Sequence, residues 1–209
     1  MSETLIEALQ LAMETHQSQI NTSVPGTIVS YDPSTNRATV RPALSRRLAN
    51  GEELHAPNIV QVPVVFPTAG MNTGKQAAFT MPIAPGDGVE LTFQQRCLEN
   101  WLSGRTDAPN DPRQFDLSDC VATPGLNAGG VVGDPTNVVL RFDKASVILR
   151  PDNSIVVGND NGSITITEDG TIVLKGTSIV VDTPSNSYTM ELHRHTGVMP
   201  GPGDTGIPI

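Results

Sequence analysis

VVLRFDKASVILRPDNSIVVGNDNGSITITEDGTIVLKGTSIVV, residues 138–181, is the most regular stretch of the chain. Apolar residues recur at alternating positions: Val138/Leu140/Phe142, Val147/Leu149, Ile155/Val157, Ile164/Ile166, Ile172/Leu174 and Ile179/Val181. The starts of these groups are 9, 8, 9, 8 and 7 residues apart. Between them lie turn formers: DK, RPDN, GNDNG, TEDG and KGT. Alternation with a period of two marks strands with one buried face. A short fixed repeat marks a solenoid-like stack. Eight or nine residues supply one strand of about five residues and a turn, too little to circle a core within one chain. Two arrangements remain. Three chains can wrap one axis, each adding a strand per level and burying its apolar residues on that axis. Alternatively, an open antiparallel meander of a single chain can pack on the preceding domain. Six successive units with no covering helix favour the three-chain prism. The acidic and amide residues between the strands are read as turn formers, because GNDNG and TEDG lack the GGxGxD signature of a calcium-binding roll.

The N-terminal side of this stretch has a different character. Leu5, Leu9, Ala12 and Met13 with Ile20 predict one amphipathic helix over 4–20, opened by a capping box of Thr4 and Glu7. NTSVPG follows as a hinge, so the helix is either a surface helix or an arm that docks on a partner. GTIVSY, DPSTN and RATVRP predict a hairpin. NIVQVPVVF predicts a strand in which Pro63 demands an edge or a bulge. QAAFTMPI, APGDG and VELTFQQR predict a second hairpin, and CLENWLSG a short helix ended by Gly104. RTDAPNDPRQFDLSDCVATPGL reads as one long polar loop. Five or so short strands with one small helix fit a small antiparallel barrel of the OB type. VATPGLNAGGVVGDPT is a Gly/Pro-rich link.

Composition narrows the function. The 209 residues allow one or two domains. Thirteen Lys and Arg stand against 22 Asp and Glu, a formal charge of -9 spread over both halves. That argues against nucleic-acid binding, which needs a basic footprint. There are 5 Phe, 1 Trp and 2 Tyr, and only Phe142 and Tyr188 follow residue 120. The bulky rings are therefore expected to fill the barrel, and a narrow prism to use Val, Ile and Leu. No run of 18 apolar residues marks a membrane span, and the acidic N-terminus does not read as a secretory signal. Cys97 and Cys120 lack metal or redox spacing and are read as buried thiols, with a disulfide as the alternative. Either could be combined on paper with His55 as nucleophile and base, but no spacing supports it, and no enzyme is expected.

The chain ends TMELHRHTGVMPGPGDTGIPI, where seven of the last thirteen residues are Gly or Pro. His193 and His195 are two apart, so on an extended strand both rings face the same side while Arg194 points away. One such pair is an incomplete metal shell. On a three-fold axis, three pairs supply six imidazole nitrogens, a full octahedral set suited to iron, nickel, copper or zinc. With no open position, such a metal would be structural.

With these residues in view, the chain resembles the baseplate central-spike (membrane-piercing) proteins of contractile-tailed phages and R-type pyocins. GTIVSYDPSTNRATVRPAL, VPVVFP, PIAPGDGVELTF, NWLSG and DLSDCVATPGL resemble that family's N-terminal OB-fold domain. The repeats at 137–192 look like its trimeric β-helix, and HRHTGV with the Gly/Pro-rich end looks like its apex. Arg194 departs from the smaller residue expected between the two histidines. The resemblance implies an all-β chain: N-terminal helix or arm (1–24), OB-fold domain (25–126), linker (127–136), intertwined trimeric β-helix (137–192) and metal-binding apex (193–209). It further implies one iron ion per trimer, held by His193 and His195 of three chains. The partners it implies are two further copies, a baseplate hub protein met through the OB-fold domain and arm, and the host outer membrane at the tip. No nucleic acid or small-molecule substrate is implied. The expected role is a virion protein, assembled in the host cytoplasm, that pierces the outer membrane when the tail contracts. The alternatives are an adhesin binding host-surface carbohydrate through the β-helix, or the spike tip of a related injection or secretion system.

Overall fold

The computed structural model describes residues 3–18, 20–48, 50–70, 74–130, 133–183 and 186–189. The chain is mostly β with few helices, and it divides into two compact units at Val131/Val132. The division falls inside the Gly/Pro-rich stretch, where few side chains can pack.

The first unit begins with α1 (Glu3–Gln17). It starts earlier than its sequence signal, so Thr4 stands inside the first turn rather than at the cap. It also stops earlier. Ser18 and Thr15 hydroxyls donate to the carbonyls of Thr15 and Leu11, competing for the acceptors that would continue the helix. The strands that follow are β1 (Ser23–Asp32), β2 (Arg37–Pro42), β3 (Arg46–Arg47), β4 (Glu53–Leu54), β5 (Ile59–Pro63), β6 (Thr68–Ala69), β7 (Ala77–Ala78) and β8 (Gly88–Phe93), then α2 (Glu99–Leu102) and β9 (Cys120–Pro124). The main sheet has the order β5-β2-β1-β8-β9, all pairs antiparallel. Register shifts at Ile28/Ser30 and at Ala38/Val40, the latter beside Gln61 at φ 59°, bend it strongly. Its two outer strands then meet. Val64 bridges Ala122 in parallel, and the Val65 amide donates to the Ala122 carbonyl at 2.8 Å.

The inside of this curl holds Ile28, Ala38, Val40, Ile59, Val62, Val64, Val89, Leu91, Phe93, Cys120 and Ala122. They sit at alternate strand positions, as a single buried face requires. The expectation of aromatic filling fails here. Of the rings, Phe93 belongs to this core and Tyr31 and Phe66 pack at its margin, while Phe79 and Trp101 are exposed. Five short strands enclose a cross-section that Val and Ala already fill, and Gly26 measures the crowding. A Cβ there would lie 2.7 Å from Val40 Cγ1.

Two further readings are corrected. Residues 76–83 do not form a hairpin with 89–96: β7 pairs with β6, and both edges of β8 are taken by β1 and β9. Pro82 and Pro85 carry no amide hydrogen, so that segment has too few donors for a ladder. The strand β9 lies within the stretch read as one polar loop. CVATP is short and ends in proline, so it carries little local strand signal, and its pairing with β8 supplies what the alternation does not. Close approach marks the start of β8. The Gly88 amide donates to Asn127 Oδ1 at 2.7 Å, and a Cβ on Gly88 would stand 2.1 Å from the Leu126 carbonyl oxygen. Gly88→Ala is expected to lower stability by about 1–3 kcal/mol, as overpacking against backbone does. Gly129→Ala, whose Cβ meets nothing within 4 Å, serves as the neutral control. Urea unfolding of both variants checks this.

The second unit contains β10 (Val138–Phe142), β11 (Ala145–Leu149), β12 (Ile155–Asn159), β13 (Gly162–Ile166) and β14 (Ile172–Lys175), then β15 (Val180–Thr183) and β16 (Asn186–Thr189). Successive strands β10 to β14 pair antiparallel with each other as a five-stranded meander. The ladder thus runs within one chain rather than from chain to chain at each level. Two-residue turns read DK and DN, and five-residue turns read RPDNS and TEDGT. The two long turns share one build. Arg150 and Thr167 amides donate to Ser154 and Thr171 carbonyls, both at 3.0 Å, and Asn153 (φ 61°) and Gly170 (φ 85°) take the left-handed position. The alternating spacings of nine and eight are therefore one repeat of two strands with two kinds of turn. The pattern breaks at Gly176-Thr177-Ser178. The sixth group, Ile179/Val181, falls outside the five-stranded sheet, Val181 being part of the separate β15–β16 pair.

Candidate functional site

The register of the meander sorts its side chains into rows. Val138, Leu149, Ile155, Ile166 and Ile172 are successive cross-strand partners, and so are Leu140, Val147, Val157, Ile164 and Leu174. Cross-strand partners project to the same side of a sheet, so these two ladders of five share one face, with Phe142 beside them. All eleven are residues singled out by alternation. In the chain they are not covered: Val138 is 68%, Phe142 70%, Ile172 63% and Ile164 48% exposed. A sheet with one apolar face must bury that face against another element, and within the meander nothing does so. This face is the strongest functional feature among the described residues.

Alternation missed the other side. Val139, Ile148, Val156, Thr165 and Val173 form a row there, and Arg141, Ser146, Gly158, Ser163 and Lys175 form the next. The sequence signal was present: VVL, VIL, IVV and IVL are triplets, and the middle residue of each must point away from its neighbours. This side is mixed, with polar and charged residues among the aliphatics, whereas the two ladders on the first are wholly aliphatic, with Asn159 beyond them beside its turn.

The turns are held by carboxylates. Asp152 Oδ1 accepts from the Ser154 hydroxyl at 2.6 Å and its amide at 3.0 Å. Asp169 Oδ1 accepts from the Thr167 hydroxyl at 2.5 Å and the Thr171 amide at 3.0 Å. Asp134 accepts from the side-chain amide of Asn137 and from the backbone amides of Asn137 and Thr136, all at 2.9 Å. These donors stabilise the charged form, so all three carboxyls lie below the usual range, Asp134 at about 2. A depressed folded-state value gives stabilisation that is present above the ordinary carboxylate value near about 4 and fades as pH falls through the folded value. The Thr136 and Asn137 amides, held by Asp134, are therefore expected to lose hydrogen-exchange protection between about pH 4 and pH 2, and the Ser154 and Thr171 amides to lose theirs as the pH falls below the ordinary carboxylate value. Protection unchanged down to the lower limit would refute the role given to these caps.

The long loop after α2 is pinned by a clamp that the sequence did not reveal. Arg113 Nε donates to Asp119 Oδ2 at 2.5 Å and its Nη2 to Asp119 Oδ1 at 3.2 Å, while Nη1 reaches Asp111 Oδ2 at 2.6 Å. The Asp119 side chain is 4% exposed and also accepts from the Leu98 amide at 3.0 Å. Asn21 reaches the same loop, donating to the Phe115 carbonyl at 2.7 Å. Asp111, Arg113 and Asp119 lie in a Pro-rich polar run in which any charge reads as solvated. Only the fold brings one arginine between two carboxylates.

His193 and His195, the expected metal ligands, lie outside the described residues. Among the described residues no cluster of three or more His, Cys, Asp or Glu could hold a metal ion. Cys97 and Cys120 are free and buried, and burial pushes the Cys120 thiol up to about 11, far from a reactive thiolate. The His55 ring nitrogen Nδ1 is hydrogen-bonded to the Ser45 hydroxyl at 2.7 Å. Among the described residues no helix is long and apolar enough to cross a membrane.

Residues 24–125, the curled sheet with its clamp loop, match the family model described as phage protein Gp138 N-terminal domain. The match supports a phage structural protein. It also supports a place in the virion as the coarse location. The comparison with curated proteins found no match. The matched stretch ends before the meander begins, so the meander's role rests on its own geometry.

Proposed function

We propose that this chain is the homotrimeric central spike at the tip of a contractile phage tail, driven through the host outer membrane when the sheath contracts. The observation that carries this is the bare apolar face of the meander, two ladders of five aliphatics in register, following a stretch similar to a phage protein domain. Three such faces turned toward one axis make a closed prism, and each aliphatic side chain so buried contributes about 1.5–3 kcal/mol before entropy. A prism filled by Val, Ile and Leu with turns at its corners is stiff and narrow, as piercing requires. It needs no catalytic residue, and no enzyme activity is proposed. The strand order β5-β2-β1-β8-β9 with the parallel bridge of Val64 to Ala122 supports reading the first unit as an OB-type barrel, which would mount the spike on a baseplate hub protein.

At the far end, His193 and His195 of three chains would supply six imidazole nitrogens to one structural iron ion, a donor set that suits octahedral coordination. The charge of -9 triples in the assembly, which leaves force rather than attraction to carry it into an anionic membrane. Native mass and metal content on one sample test the reading. The expected result is three 22.1-kDa chains with one transition-metal ion, and loss of the ion in the His193→Ala/His195→Ala variant with the trimer intact. A monomer sinks the architecture, and a metal-free trimer sinks the tip.

A further inference from the structure

The helix α1 carries a second uncovered apolar surface. Every side chain from Thr4 to Ser18 is exposed, with Ile6 at 53%, Leu9 at 57% and Met13 at 63%. A fifteen-residue helix is marginal in water unless something covers it. Its apolar residues follow a definite spacing. Ile6, Leu9, Met13 and His16 stand at intervals of three, four and three, the a/d seam of a coiled coil, and Ile20 continues the spacing past the last turn. Glu7 and Glu14 lie on the opposite face. The positions flanking the seam are Glu3, Gln10 and Gln17 on one side and Leu5 and Ala12 on the other, uncharged apart from Glu3 at the helix start. Copies packed side by side on this seam would therefore bring no like charges together beyond the first turn, where Glu3 flanks it. The one polar seam residue, His16, would form a single polar layer of the kind that fixes register and alignment.

We propose that the α1 helices of three copies pack on one another as a short parallel coiled coil through Ile6, Leu9, Met13 and His16. This rests on the trimeric reading above, which tethers three seams in one assembly. A tether raises the local concentration of each helix for its copies above that of free chains, which favours two heptads that would not associate alone. A separate protein occupying the seam would have to compete with copies already present.

The test uses the full-length chain with single cysteines in α1. Leu9→Cys places thiols on the seam and Glu14→Cys places them outside it. A disulfide needs Cα atoms closer than about 7 Å, a condition that seam neighbours meet and outer positions do not. Each variant is oxidised mildly and run without reductant, with sedimentation of the same sample. The expected result is a trimer in which Leu9→Cys forms covalent chain pairs, leaving one chain in three unpaired, while Glu14→Cys forms none. Cys97 and Cys120, both buried, should stay reduced. A trimer in which Leu9→Cys does not pair, or pairs no better than Glu14→Cys, overturns the coiled coil and leaves the trimeric reading standing. A monomer in sedimentation removes both.

Discussion

Ile164→Asp is expected to dissociate the spike. Ile164 is the fourth of five residues in a ladder, between Val157 and Leu174, on the apolar face. In a three-fold prism the substitution puts three carboxylates near one axis, where their cross-strand neighbours Val157 and Leu174 offer no cation or donor. Taking each ionised carboxylate out of water costs several kcal/mol, and the three also repel. The trimer is then expected to give way to monomers or aggregates in sedimentation, at concentrations where the wild-type chain stays assembled. Thr165→Asp is the control, one residue along the same strand. Thr165 projects to the opposite, mixed face, half-buried between Val156 and Val173 and next to Ser163 on its own strand, so its carboxylate lies off the proposed axis and the trimer should persist. Equal behaviour of the two variants would mean that the eleven-residue face is not the interface.

The second large effect concerns the clamp. Arg113→Ala removes the guanidinium held by the buried carboxylate of Asp119, leaving that group, among the described residues, with the Leu98 amide. Breaking a buried pair from one side costs about 3–5 kcal/mol when both partners are enclosed. Arg113 is 32% exposed and water can replace part of its contact, so about 2–4 kcal/mol is expected. The loss should be local before it is global. Residues 105–118 should become sensitive to proteolysis while the alternating core of β1, β2 and β8 holds, and the urea midpoint should fall. The double variant Arg113→Ala/Asp119→Asn tests the cause, because removing the stranded charge should recover part of the loss. A double variant no better than Arg113→Ala would place the effect in the lost packing of the arginine stem instead.

The parts of this protein that were legible in its amino-acid order share one property: their signal is local. The hairpin of residues 26–42 showed itself in two β-branched runs around Asp32-Pro-Ser-Thr-Asn36. It formed there because Asp32 accepts from Ser34 and Thr35 within the same turn. The short helix before Gly104 and the bulged, edge-lying strand around Pro63 were legible for similar reasons. The alternation of residues 138–174 named all ten ladder residues of the exposed face, and Phe142 beside them, before any pairing was known. Period two already says which side chains share a side.

What failed or was missed depended on partners far away in the chain. β9 is a strand because β8 offers it an edge about thirty residues upstream, not because CVATP prefers to be one. The segment 76–83 looks like a strand and is denied the ladder, because β1 and β9 already occupy both edges of β8. The clamp of Asp111, Arg113 and Asp119 reads as three solvated charges until the loop folds back on Leu98. Aromatic content counted bulky rings but not the room for them, and the narrow curl had space only for Phe93 and smaller residues. The order of residues alone therefore determined an all-β chain, the face of its repeats and the turns between them, since each follows from neighbours within a few positions. The tertiary structure decided which strands share edges, which charges meet and how wide the core is, since hydrogen bonds, desolvation and packing act on what is close in space rather than in sequence.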